Sequence, residues 1–474
     1  MAATAAEGFN AALVGLWRLG ARLSFVTLVS VLASVSGSGP AGAADADTPP
    51  AMDSFYELMN PAADVRRVAL KRIAEHWEQS YTPMILELFS LSRDPVYASE
   101  LLAVLRENSG EDHGYDIEAW YHWLWQKEPE FHPQYADFKS RLYGLLDTRF
   151  SSYFSSRYQS EVRLDEVRWG GVKQNGIPPL REPKMLAAAE ADYLGDGDVI
   201  FGIEVKGEAR AYPKRILAWH ELFTDEIAGV PVAGVYCTLC GAMVVYRSES
   251  AGVRYDLGTS GFLYRSNKLM FDAATNSLWN TLWGRPVIGP LVGRGEQLER
   301  MPVVTTTWSD WNRRHPDTTV LSLDTGYSRD YAEGAAYRNY FSHDRPMFSV
   351  PRLDDRLRNK QEILGLVFPA QTEEALAISL DFLDSHPLYS GSLGGVDFVV
   401  LSDRAGGRRV FSRSKTEFTE WDRDRSLRDD HGVVWTSSEE ELRSADGRSL
   451  KRLPAHRAFW FGWQAAWPRT RLIR

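Results

Sequence analysis

The chain contains two cysteines, and both fall in "VAGVYCTLCGAMVVYR" (232–247), as Cys237 and Cys240 with Gly241 directly after. A thiol pair at this spacing closes into a disulfide, shuttles as a redox dithiol, or gives two thiolates to a metal ion. A thioredoxin-type dithiol sits at a helix N-terminus, where the helix dipole lowers the thiol pKa. Here β-like runs flank the pair on both sides, so the spacing predicts a hairpin tip. In such a turn the two sulfurs aim at one spot, and Gly241 lets the backbone fold so that amide N–H groups face them. With no further cysteine in the chain, a metal bound here takes its other ligands from histidine, carboxylate or water, the pattern of an open site. One zinc, copper or iron ion suits such a donor set.

His220, in "ILAWHELF", is the first candidate for a third metal ligand or an acid/base, set against an ordinary hydrogen-bonded packing role. Glu221 is either its carboxylate partner or a solvated helix residue. The stretch 258–280 is dense in small polar residues. Thr259, Ser260, Arg265, Ser266 and Asn267 are candidates to line a pocket, although turn chemistry explains the same residue types. No Gly-x-Ser-x-Gly elbow surrounds Ser260, so it is not read as a nucleophile. The segment 324–346, rich in Tyr, Asp and Arg, reads as a long loop, with Tyr327, Arg329, Tyr331 and Tyr340 as lid candidates. His315 reads as a helix end before Pro316. The chain has no phosphate loop, no dinucleotide fingerprint and no His-Glu-x-x-His. "CTLCG" also lacks the histidine of c-type haem attachment, so neither a nucleotide cofactor nor c-type haem is expected.

Two kinds of texture position these residues. Residues 55–155 carry helical periodicity, as in "DVRRVALKRIAEHW", where Val65, Val68, Ala69, Arg72, Ile73 and His76 share a face and Asp64 is an N-cap candidate. This part reads as a helical cap on the main domain rather than a solenoid. From about 160 onward, Val-, Tyr- and Phe-rich runs alternate with Gly, Pro and Asp turns. The expected fold class is α+β: an all-α segment followed by a β-rich domain.

The β-rich part resembles itself. "AGVPVAGVYCTLCGAMVVYRS" (228–248) aligns with "GGVDFVVLSDRAGGRRVFSRS" (394–414), and the same register sets His220 on His386. "VIFGIEV" resembles "EILGLVF". "LERMPVVTTTWSDWNRRHPDT" (298–318) aligns with "LKRLPAHRAFWFGWQAAWPRT" (450–470), matching Trp308 with Trp460 and Trp311 with Trp463. We read two diverged copies, 160–345 with the cysteines and 346–474 with Asp403 and Gly406 in their place. Any thiol chemistry then belongs to the first copy.

At 474 residues the chain is long enough for two or three domains. A net charge of −9 supplies no basic surface for nucleic acid. Near the N-terminus, Arg18 and Arg22 precede "LSFVTLVSVLASVSG", and Ala41-Gly42-Ala43 fits small-x-small cleavage. We therefore expect a signal peptide over 1–43, a linker over 44–54, and an exported protein, periplasmic or extracellular. No membrane span should remain after cleavage; an uncleaved N-terminal anchor is the alternative.

Taken together, "RLDEVRWGGVKQNGIPPL", "GEARAYPKRILAWHE", "VYCTLCGAMVVYR", "SGFLYRSNKLMFD", "SLWNTLWGRPVIG", "TTTWSDWNRRHPDT" and "LSLDTGYSRDY" resemble the bacterial and archaeal family catalogued as domain of unknown function 3179, over roughly 160–474. The resemblance implies the Cys-x-x-Cys-Gly element, in which other members often carry Pro where Thr238 stands, and implies no activity. The resulting expectation is an exported metal-binding, oxidoreductase-like protein with Cys237, Cys240 and His220 as ligands, acting on a small molecule or protein. The alternative is a non-catalytic binding or scaffold protein whose cysteines form a structural disulfide.

Overall fold

The computed structural model describes residues 51–368 and 374–474. The expected signal peptide, its Ala41-Gly42-Ala43 site and most of the expected linker lie outside these residues.

The N-terminal region is helical, with α1 (Met52–Glu57), α2 (Ala63–Glu75), α3 (Thr82–Leu91), α4 (Pro95–Ser109), α5 (Ile117–Lys127) and α6 (Tyr135–Gly144). Its boundaries obey local chemistry. Asp94 caps α4 by accepting from the amides of Val96 and Tyr97 at 3.0 and 3.3 Å, Pro95 takes the first turn, and Gly110 ends the helix at φ 72°. Asp64 is not the N-cap of α2. Ala62 holds that position, and Asp64 sits in the first turn, where its charge still complements the helix dipole. The buried face of α2 is Ala69, Leu70 and Ile73, whereas Val68 is exposed. The helix is thus turned by about one residue from the face that periodicity alone predicts.

Among these helices Glu87 and Lys139 form a fully buried ion pair. Tyr135 donates to Glu87 at 2.8 Å, Tyr143 donates to it as well, and Lys139 Nζ donates to the carbonyl of Val167 at 2.9 Å. A buried pair keeps its charges only when its remaining hydrogen-bond positions are filled. Here the filling group on the lysine is the backbone of the first β-strand, which ties the helices to the β-rich region.

The β-rich region begins with β1 (Val167–Trp169), β2 (Val199–Val205), β3 (Glu208–Pro213), α7 (Lys214–His220), β4 (Leu222–Ile227), β5 (Val230–Cys237), β6 (Ala242–Arg247), β7 (Leu257–Tyr264) and β8 (Asn267–Asp272). It continues through β9 (Val304–Thr307), α8 (Trp308–Arg314), β10 (Thr319–Leu321), α9 (Arg338–Phe341), β11 (Glu362–Leu366), β12 (Leu376–Ser379), α10 (Leu380–Ser385), β13 (Ala455–Phe459), α11 (Trp460–Ala466) and β14 (Arg471–Ile473), with further strands between. The expected loop at 324–346 therefore contains one short helix, α9.

Two of the sheets share one pairing plan. The first runs β9-β2-β3-β10 and continues to Met185–Ala187; the second runs β13-β11-β12-β14. In the first, Val304 faces Gly202 and Gly202 faces Ala211, with Val320 parallel to Ala211. In the second, His456 faces Gly365 and Gly365 faces Ala377, with Leu472 parallel to Ala377. Gly202 leaves room for the Trp311 ring and Gly365 for the Trp463 ring; a Cβ at either position would run into the indole. Each indole N–H donates to a threonine hydroxyl, Trp311 to Thr318 at 2.9 Å and Trp463 to Thr470 at 3.0 Å.

The hairpin β5-β6 belongs to a third sheet with β4, and β7-β8 to a fourth with β1. An eight-stranded antiparallel sheet, spanning Leu388 to Leu453, completes the fold. One core joins residues from β5-β6, β8, β11, β12, β13 and α11, including both cysteines. The thiols are thus enclosed by residues more than 200 positions downstream in sequence as well as by near neighbours.

Candidate functional site

Cys237 ends β5 and pairs with Ala242, the first residue of β6. The tip between them is closed by amide donation from Cys240 to the Cys237 carbonyl at 3.2 Å. Gly241 takes φ +59°, and a Cβ there would lie 3.0 Å from the Phe459 ring. Both reasons call for glycine. The expected hairpin tip is therefore present, and its two sulfurs stand 2.6 Å apart. They are almost wholly enclosed: Cys237 is 2% exposed and Cys240 0%.

The two thiols have different surroundings. Burial raises the Cys237 thiol, but a hydrogen bond from Cys240 and backbone N–H donors of Lys268, Cys240 and Leu239 outweigh it and hold the group below its ordinary value. Cys240 goes the other way: burial, its bond to Cys237 and the negative charge there push it well up. Of the two, Cys237 is therefore the one that gives up its proton first. The Cys240 sulfur also lies 2.8 Å from Asn267 Oδ1 and 3.5 Å from the Ser266 carbonyl.

A second layer surrounds the turn. Glu221 accepts from the Thr238 hydroxyl at 2.7 Å and from the Tyr337 hydroxyl at 2.9 Å, and it forms an ion pair with Lys268. All of Glu221, Thr238 and Lys268 are buried, and burial drives the Lys268 ammonium well below its ordinary value. Tyr340 donates to the Leu239 carbonyl at 2.6 Å. From the C-terminal side, the Phe459 amide donates to the Cys240 carbonyl at 2.7 Å, and Asn267 Nδ2 donates to the Gly462 carbonyl at 3.1 Å.

His220 stands at the end of α7, next to Glu221, with both ring nitrogens engaged. Nδ1 lies 2.8 Å from the Pro178 carbonyl, which can only accept, so Nδ1 carries the hydrogen. Nε2 then accepts from the Tyr331 hydroxyl at 2.6 Å, and Tyr331 in turn meets Thr325 Oγ1 at 2.6 Å. Burial lowers the imidazole's pKa and keeps it neutral. Tyr327 stacks obliquely on the same ring, with centroids 5.3 Å apart. The structure brings Cys237 and Cys240 together, while the ring nitrogens of His220 face Pro178 and, in the 324–346 segment, Tyr331.

Fit to a metal can be judged on this geometry. Two thiolates on one tetrahedral ion, each at about 2.3 Å, stand about 3.7 Å apart. These sulfurs stand closer together than that. Among the described residues no group of three or more His, Cys, Asp or Glu side chains is placed to hold a metal.

Of the other sequence candidates, Ser266 and Asn267 reach Cys240. Thr259 and Ser260 instead donate to the carbonyls of Ile177 and Leu269, at 2.8 and 2.6 Å, and serve the sheet. Arg265 pairs with Glu166 at 2.6 Å. His315 is the C-cap of α8, 3.3 Å from Glu204. Sequence reading missed Lys268, Tyr337, Phe459 and Gly462. The lysine left a signal, since "NKLMFD" sets a cation directly before the apolar run 269–271. Phe459 and Gly462 left none, because only the packing of a distant part of the chain brings them here.

A family model described as "Protein of unknown function (DUF3179)" matches residues 174–470. No curated protein and no solved structure matches the chain.

Proposed function

The chain belongs to this family of proteins of unknown function (DUF3179), and from the site's geometry we propose that it is a dithiol–disulfide redox protein whose working groups are Cys237 and Cys240. The carrying observation is the pair itself. Two enclosed sulfurs meet at one hairpin tip, 2.6 Å apart, within a core that excludes water. That is the environment of a reactive thiolate with a resolving thiol beside it.

The chemistry balances without a metal. The Cys237 thiolate attacks one sulfur of a disulfide in a small molecule or protein and forms a mixed disulfide. The other half leaves as a thiolate and takes the proton that Cys240 gives up. The Cys240 sulfur then attacks Cys237, closing the internal disulfide and expelling the second half as a thiolate. Two electrons move from the dithiol to the substrate disulfide, and the reverse sequence oxidises a substrate dithiol.

Metal binding at Cys237, Cys240 and His220 is the competing reading. It requires the sulfurs to part and His220 to release Pro178 and Tyr331. A disulfide that only braces the hairpin is the other competitor, and the thiolate cradle on Cys237 argues for exchange instead. Export belongs to the proposal, because an oxidising compartment supplies disulfide partners. Among the described residues no helix is long and apolar enough to cross a membrane. The shared pairing plan of the two sheets, with its matched Gly–Trp–Thr contacts, supports reading the β-rich part as two diverged copies.

The test is an equilibrium titration of the full-length protein in thiol–disulfide buffers, with thiols counted by alkylation and mass. A single two-electron transition at a defined potential supports the reading. Thiols that remain both reduced, or both oxidised, across the whole range defeat it.

A further inference from the structure

We propose that Asn267 is the positioning residue of this centre: its side-chain oxygen takes the hydrogen of Cys240, which makes Cys237 the sulfur that attacks and Cys240 the sulfur that resolves. This rests on reading the pair as a working dithiol.

The orientation of the amide is fixed by its neighbours. Asn267 Nδ2 lies 3.1 Å from the Gly462 carbonyl and 3.3 Å from the Arg265 carbonyl. Carbonyls only accept, so the NH2 group faces them and Oδ1 faces Cys240. Asn267 is 1% exposed, which removes water as a rival donor or acceptor. Its place at the start of β8 is set by the turn before it, where Arg265 and Ser266 both take left-handed backbone angles, φ 48° and 66°.

Cys240 has one hydrogen and two short acceptors, Cys237 Sγ at 2.6 Å and Asn267 Oδ1 at 2.8 Å. In the resting dithiol either can take it. While that hydrogen stays on Cys240, Cys237 is the sulfur that attacks. An amide accepts a hydrogen bond but not the proton, so the first departing thiolate takes the proton from Cys240, which then attacks Cys237 as a thiolate and closes the internal disulfide.

The clamp on Asn267 comes from the cysteine-free part of the chain. Gly462, in α11, both holds the amide and leaves space for the thiol: a Cβ there would stand 3.1 Å from Cys240 Cβ and 3.4 Å from its sulfur. The region without cysteines thereby completes the site.

The experiment uses full-length, reduced protein under anaerobic conditions, pulsed with limiting iodoacetamide and mapped by peptide mass. The wild-type chain should carry the label on Cys237 over Cys240 by about tenfold or more, the ratio that one pKa unit between two thiols sets. Asn267→Leu should bring the ratio toward one. Asn267→Gln, which keeps both an amide oxygen for the thiol and an NH2 group for the carbonyls, should hold the ratio nearer the wild-type value, which a merely structural role would not do. Should the leucine variant fail to fold, Asn267→Ser reads the same ratio with less crowding. Leucine or serine variants that keep the wild-type ratio overturn the role of Asn267, even if the protein cycles normally between dithiol and disulfide. An Asn267-dependent ratio in a protein that never forms the Cys237–Cys240 disulfide defeats the dithiol reading and leaves the positioning role standing.

Discussion

The Cys240 sulfur lies 2.8 Å from Asn267 Oδ1, and the same amide is held from its other end by the carbonyl of Gly462, 3.1 Å away and 195 residues further along the chain. The two thiols differ because of such contacts. Cys237 is held below its ordinary thiol value, while burial pushes Cys240 well above it.

The two cysteines should behave unequally in trapping. Cys240→Ser leaves the attacking sulfur without its resolver, so a mixed disulfide with a small aromatic disulfide probe should persist. Cys237→Ser should form such an adduct far more slowly. Mass spectrometry of the intact protein checks this, and equal trapping by both variants contradicts the assignment.

The pH dependence of stability arises from the opposite shifts of the two thiols. Cys237 has a lowered pKa, so it contributes stability that is present above the unfolded thiol value and lost as pH falls through the folded one. Cys240 has a raised pKa, so its contribution is present below the unfolded value and lost as pH rises. The stability that the thiols add to the reduced protein relative to the oxidised one should therefore peak near the free-thiol value, about 8.5. Thermal melts of both forms against pH should show this maximum in their difference, since the oxidised protein has no thiols to titrate.

Tyr340 should act as a latch on the hairpin tip. Its hydroxyl donates to the Leu239 carbonyl at 2.6 Å. Tyr340→Phe removes a hydrogen bond worth about 1 kcal/mol, which is roughly a fivefold change in an opening equilibrium. Alkylation of Cys237 in the reduced protein should accelerate by about that factor. An unchanged rate means that access runs elsewhere.

The glycines under the two tryptophans should be equally intolerant. Gly202→Ala and Gly365→Ala each push a Cβ into an indole, an overpacking that costs about 1–3 kcal/mol. Denaturant unfolding of both variants checks the likeness of the two sheets. A large cost at one site and none at the other contradicts it.

Local structure was legible in the sequence. Cys237 and Cys240 fall at a strand–turn–strand tip because β-branched runs flank them and Gly241 permits the turn. The Trp311 and Trp463 contacts were legible as aligned motifs. The surroundings of His220 are not legible, because a histidine near cysteines in sequence says nothing of where its ring nitrogens point; here they face Pro178 and Tyr331. The face of α2 is not legible because Leu70, not Val68, meets the core, and only neighbouring helices decide between adjacent positions on a helix. Gly462 and Phe459 are invisible because long-range packing leaves no local pattern.

The most direct test is to purify the full-length protein without chelator or affinity metal, then measure its metal content and its thiol–disulfide titration on one sample. We predict no stoichiometric metal and a reversible two-electron Cys237–Cys240 couple. About one zinc, copper or iron per chain, with both thiols shielded and no disulfide formed, would contradict the dithiol function.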